Sequence, residues 1–106
     1  MKGIVKDWLV SAEGDLLLIK EIIDLENLTH LSAFHAQQAI EKSFKAIIEE
    51  FELDLLILLD QLYIDSRYPG EMGLLPDGKP TVDESTKFFN LAQRIYEEAE
   101  SACLNK

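Results

Sequence analysis

Apolar residues in this chain recur at intervals of three and four along most of its length, and that period is the one that places side chains on a single face of an α-helix. Between Val5 and Leu25 the series is Val5, Trp8, Leu9, Ala12, Leu16, Ile19 and Ile23, a first long helix. Gly14 falls inside it, costing about 1 kcal/mol relative to alanine, and close packing is expected at this point. A polar break at Glu26-Asn27-Leu28-Thr29 follows, where Asn27 or Thr29 is positioned to cap the next helix. That second helix is expected from Leu28 to Phe51, with Ala33, Ala36, Ile40, Phe44, Ile47 and Phe51 on its apolar face. Leu55 to Tyr63 is leucine-dense nearly all round, a third and mostly buried helix ending near Asp65 or Ser66.

From Arg67 to Pro80 the chain carries all three of its prolines and three of its five glycines, which rules out a continued helix. Pro76-Asp77-Gly78 reads as a tight turn within that long loop. Thr81 and Glu84 then form the spacing of a capping box and open a last helix, lined by Phe88, Ala92, Ile95, Ala99 and Cys103. No segment alternates as a strand. The fold expectation is therefore all-α: a single domain over residues 1–106, built as an antiparallel four-helix up-and-down bundle with a long Pro/Gly loop before the last helix.

A chain of 106 residues buries only a modest core, so a second subunit would add useful stability. No apolar run is long enough to span a bilayer and no signal peptide opens the sequence, so a soluble, cytoplasmic protein with no membrane contact is expected. One cysteine, Cys103, excludes an internal disulfide and a cysteine metal pair. His30 and His35 stand five apart, which misses the i, i+4 spacing of a helical metal site, so no metal and no cofactor is expected. Twenty acidic against ten basic residues give a net charge of -10. That field repels a polyanion, and any nucleotide or RNA contact has to come from a local basic site or a dimer groove.

The second helix holds the candidates for such a site. Gln38, Lys42 and Lys45 lie opposite its apolar face, and the two lysines one turn apart are spaced either to hold a phosphate or to pair with neighbours such as Glu41 and Glu49. His35, Ala39, Lys42 and Ala46 form a strip of small and polar residues, a candidate helix-helix contact. Gln37 and Glu41, one turn apart, are read either as a polar network tying helices together or, for Gln37 with Gln38, as contacts to a nucleotide or a dimer mate. Trp8 is a core anchor. Arg67 and Tyr68, beside Pro69, offer a guanidinium fork and a stacking ring, or a cation for the third helix's last carbonyls.

Two of these segments carry a family pattern. Trp8, Ala12 and Asp15-Leu16 on the first helix, with Phe34-His35-Ala36-Gln37-Gln38-Ala39, Glu41-Lys42 and Lys45-Ala46 on the second, resemble the HEPN domain family. Asp65-Ser66-Arg67-Tyr68-Pro69 is similar to an element that follows the family's third helix. The resemblance implies a helical bundle that dimerises, works beside a minimal nucleotidyltransferase in a toxin-antitoxin-like system, and binds nucleotide or RNA. Many members are metal-independent ribonucleases with an R-x(4 to 6)-H motif. Here arginine occurs only at Arg67 and Arg94 and histidine only at His30 and His35, so no arginine precedes a histidine. The expectation is a non-catalytic binding and interaction module with no catalytic residue, Gln38, Lys42, Lys45, Arg67 and Tyr68 being its nucleotide contacts. The alternatives are a ribonuclease toxin using Arg67 with a histidine supplied elsewhere, and a purely structural oligomerisation domain.

Overall fold

The computed structural model describes residues 1–52 and 79–105, all of whose regular structure is helical. Helix α1 runs Gly3–Ile22, a short 3₁₀ turn covers Glu26–Leu28, α2 runs Thr29–Phe51 and α3 runs Val82–Leu104. The helix expected at Leu55 to Tyr63, and the loop with its Pro76-Asp77-Gly78 turn, lie outside the described residues.

Helix α1 buries Val5, Leu9, Ala12, Leu16 and Ile19, the stripe expected from the spacing. It stops a turn early: the Leu25 N–H donates to the Ile22 carbonyl, and Leu25 turns extended. Neither Asn27 nor Thr29 caps α2. Leu28 occupies the cap position without a side-chain bond, while the Thr29 hydroxyl donates back to the Glu26 carbonyl at 3.4 Å.

The apolar face expected on α2 is rotated in the folded chain. The buried positions are Thr29, Ser32, Ala33, Ala36, Ala39, Ser43, Ala46 and Glu50, whereas Ile40, Phe44 and Ile47 are half-buried and Phe51 is exposed. The cause is the central position of α2, which packs against both other helices. Alanine and serine let two neighbours approach its backbone together, and larger side chains spread to the flanks of that seam. The approach is close enough for Ser85 to donate to the Thr29 carbonyl at 3.3 Å and for the Cys103 thiol to lie 3.9 Å from the Ala46 carbonyl.

These contacts set the topology. Asp15 meets His35 and Lys42 while Lys2 meets Glu49, so α1 and α2 are antiparallel. Ser85 and Cys103 meet Thr29 and Ala46 in the same order, so α2 and α3 are parallel, with the end of α2 and the start of α3 at opposite ends. An up-and-down bundle places its second and fourth helices in that relation. What the described residues establish is the all-α class.

Two further helix ends are tied by hydrogen bonds. At α3 the Thr81 hydroxyl accepts from the Glu84 N–H at 3.0 Å and the Glu84 carboxylate accepts from the Thr81 N–H at 2.9 Å. Thr81→Ala removes one arm of this box and is expected to cost about 1 kcal/mol in a urea titration. At α2, Glu52 takes a left-handed conformation (φ 52°) and its N–H closes on the Ile48 carbonyl. Lys2 then donates to the Glu49 carbonyl at 3.2 Å and to Glu52 at 3.1 Å, a cation at the negative end of the helix.

On α3 the buried stripe is Ser85, Ala92, Tyr96, Ala99 and Cys103. Ile95 and Phe88, expected in that stripe, are only half-buried. Tyr96 enters because its hydroxyl has partners at the rim: it donates to Glu100 at 3.0 Å and lies 3.2 Å from Glu13 on α1. Burial, then Glu100 and Glu13, push the phenol well above its ordinary pKa, so it stays protonated throughout the neutral range.

Candidate functional site on the first and second helices

Asp15 is the centre of the polar chemistry between α1 and α2. It sits seven residues after Trp8, on the edge of the buried stripe, with its side chain 10% exposed. One carboxylate oxygen accepts from Lys42 at 2.8 Å and the other lies 2.9 Å from His35 Nδ1. A carboxylate this buried requires partners for its charge. It finds them two turns apart on α2, because residues seven apart on an antiparallel neighbour face the same strip. Phe34 leans edge-on against His35, ring centroids 5.2 Å apart and planes at 89°.

One turn further along α2 the Lys45 ammonium lies 4.7 Å from the centroid of Trp8. Trp8 is thus half-buried, its body packed on the core and its ring under a cation. Lys45 is exposed while Lys42 is half-buried and engaged. The lysine pair therefore divides: Lys42 pairs with Asp15 across the helix seam, not with Glu41 or Glu49, and Lys45 presents its charge to solvent over an aromatic ring.

Over residues 5–56, which take in Trp8, Asp15 and all of α2, the sequence matches the model of the HEPN domain. Residues 5–56 thus carry the sequence signature of the HEPN domain family. No curated protein and no solved structure matches it.

Several expected site residues come together on this HEPN segment. His35, Gln38, Lys42 and Lys45 occupy the side of α2 that borders α1. Gln37 and Glu41 are both exposed and bond to each other at 3.4 Å within α2, so this pair ties no two helices together. Ala39 and Ala46 are completely buried, and the helix-helix contact they make is internal to the chain. Arg67 and Tyr68 lie outside the described residues.

Asp15 is the residue that counting spacings passed over as a site member. Its signal was present: an ionisable side chain at the Trp8 plus seven position, next to an apolar stripe, has to be paired if the stripe is buried. No group of three or more His, Cys, Asp or Glu able to hold a metal occurs among the described residues. None of their helices is long and apolar enough to cross a membrane.

Proposed function

We propose that this HEPN chain is a non-catalytic nucleotide- or RNA-binding and interaction module, acting as a homodimer beside a minimal nucleotidyltransferase in a toxin-antitoxin-like system. The observation that carries the ligand half of this reading is Lys45, an exposed cation held over the Trp8 ring. A phosphate oxygen can approach the far side of that ammonium without displacing an existing ion pair. Gln38, seven residues earlier on the same side of α2, supplies a donor and an acceptor. Lys42 contributes less, because a phosphate would have to compete with Asp15 for it. The non-catalytic half is supported by the order of the basic residues, no arginine preceding a histidine in these 106 residues. The dimer and the nucleotidyltransferase partner are supported by the HEPN signature of residues 5–56.

Trp8 is the chain's one tryptophan, so the site reports on itself. Titration with ATP and with a short single-stranded RNA is expected to change its fluorescence saturably, and Lys45→Ala to weaken binding about tenfold, the effect of losing one phosphate contact of about 1.4 kcal/mol. A flat titration with both ligands would sink the nucleotide reading. RNA cleavage in the presence of chelator, abolished by Arg67→Ala, would instead establish the ribonuclease.

A further inference from the structure

The imidazole of His35 is held in one orientation and left with one open nitrogen. Its Nδ1 lies 2.9 Å from Asp15, and Phe34 packs edge-on against the ring. A carboxylate accepts and does not donate, so in the neutral ring Nδ1 carries the hydrogen and Nε2 a lone pair. Among the described residues Nε2 has no hydrogen-bond partner, and it is not sealed from solvent, the side chain being 25% exposed. Protonation reverses what this nitrogen offers. The neutral ring turns a lone pair outward and repels a phosphate oxygen, whereas the charged ring turns an N–H outward and binds one.

The added charge is also in surplus. Asp15 supplies one negative charge, and Lys42, 2.8 Å from its other oxygen, already matches it. Among the described residues, Asp15 from α1 and Lys42 from α2 are the charged groups tied to this ring. Helix α3 and the 3₁₀ turn make no hydrogen bond or ion pair with any of the three, their bonds going to Glu13 and to backbone carbonyls of α2 and of the turn itself.

We propose that His35 is a proton-gated phosphate contact, its tautomer fixed by Asp15, which extends the Lys45 site along α2. This rests on the nucleotide reading above and adds a regulated contact to it. His35, Gln38 and Lys45 follow one another at intervals of three and seven on the side of α2 that borders α1, and so form a row. Ten residues separate its ends, about 15 Å at the rise of an α-helix. The triphosphate of one nucleotide does not reach that far, whereas successive phosphodiesters of a single-stranded RNA do. The ligand that meets both ends is therefore an oligonucleotide. Affinity follows the proton in a fixed direction: binding strengthens as pH falls through the range where histidine charges, and by reciprocity binding takes up a proton from solution.

The test uses the full chain and a uridine hexanucleotide without terminal phosphates, whose phosphodiesters stay ionised and whose bases stay neutral over the range used. Wild-type affinity, read from Trp8 fluorescence, is expected to rise about tenfold from about pH 8 to about pH 5.5, the effect of one charged contact. Calorimetry in two buffers of different ionisation enthalpy is expected to show proton uptake on binding. His35→Gln keeps a side-chain N–H for Asp15 and is expected to keep its helical circular dichroism. Its affinity is expected to rise by less than about threefold over the same range, the share due to the falling negative charge of an acidic chain. His30→Gln, at an exposed position near the start of α2, is expected to behave as the wild type. With ATP, too short to span the row, no His35-dependent gain is expected. The same pH dependence in the wild type and in His35→Gln, or the same proton uptake, overturns the gated contact and leaves the nucleotide reading standing. A His35-dependent gain with ATP overturns the span to Lys45. No binding of the hexanucleotide or of ATP at any pH overturns the nucleotide reading itself.

Discussion

Asp15→Ala is expected to destabilise the fold by about 3 kcal/mol at pH 7, the cost of breaking a largely buried ion pair from one side. The substitution leaves Lys42, with only 21% of its side chain exposed, charged and without the carboxylate 2.8 Å away, and it removes the partner of His35 Nδ1. The penalty comes from the stranded cation rather than from the intrinsic worth of the pair. Replacing both partners together, Asp15→Leu with Lys42→Met, is therefore expected to cost less than Asp15→Ala alone. Chemical denaturation of the three variants checks this. A single-variant loss within about 0.5 kcal/mol, the range of neutral surface changes, would show that the clasp contributes nothing.

The second large effect is expected at the α2 seam. Ala39 is fully buried where α2 meets its neighbours, so Ala39→Leu adds three carbons to a space with no room for them and pushes the helices apart. Overpacking of this kind costs about 1–3 kcal/mol, and a backbone seam lined by Ala36, Ala39, Ser43 and Ala46 places it at the upper end. Glu41→Leu, an equally apolar change two residues away on the exposed side, is expected to stay within about 0.5 kcal/mol. The loss at Ala39 should not depend on protein concentration, because the contact is internal to one chain. A midpoint that moves with concentration only in the variant would instead place Ala39 between subunits.

The Asp15 clasp also governs how the proposed ligand would be read. With Lys42 held by Asp15, the free charge on this surface is that of Lys45, stacked on Trp8. Of the residues proposed to meet a nucleotide, Lys45 is thus the one whose loss should matter most, and Lys42→Ala should register mainly as a change in stability. The two lysines look alike in the sequence, seven and four residues along from Gln38 on one side of a helix. Their roles part because one faces a buried carboxylate and the other an indole ring.

The helical class was legible in the spacing of Val5, Leu9, Ala12, Leu16 and Ile19, since a period of 3.6 residues follows from backbone geometry whatever the neighbours are. The start of α3 was legible for the same reason: the Thr81 and Glu84 box is closed by bonds three residues apart and needs no tertiary partner. The family was legible in the pattern of Trp8, Asp15 and the second helix. The burial of α2 was not. Its large residues Ile40, Phe44 and Ile47 pointed to one face, yet α2 lies between two helices, and the small residues on the adjacent face occupy the tightest space. Nor was the exchange of Tyr96 for Ile95, which depends on Glu13 arriving from another helix to share the hydroxyl with Glu100. Period, caps and composition are local properties, carried by residues within a turn or two of each other. Which face of a helix is buried, and which lysine keeps its charge for a ligand, depends on atoms that only folding brings within 3 Å, as it does for Asp15 and Lys42, 27 positions apart.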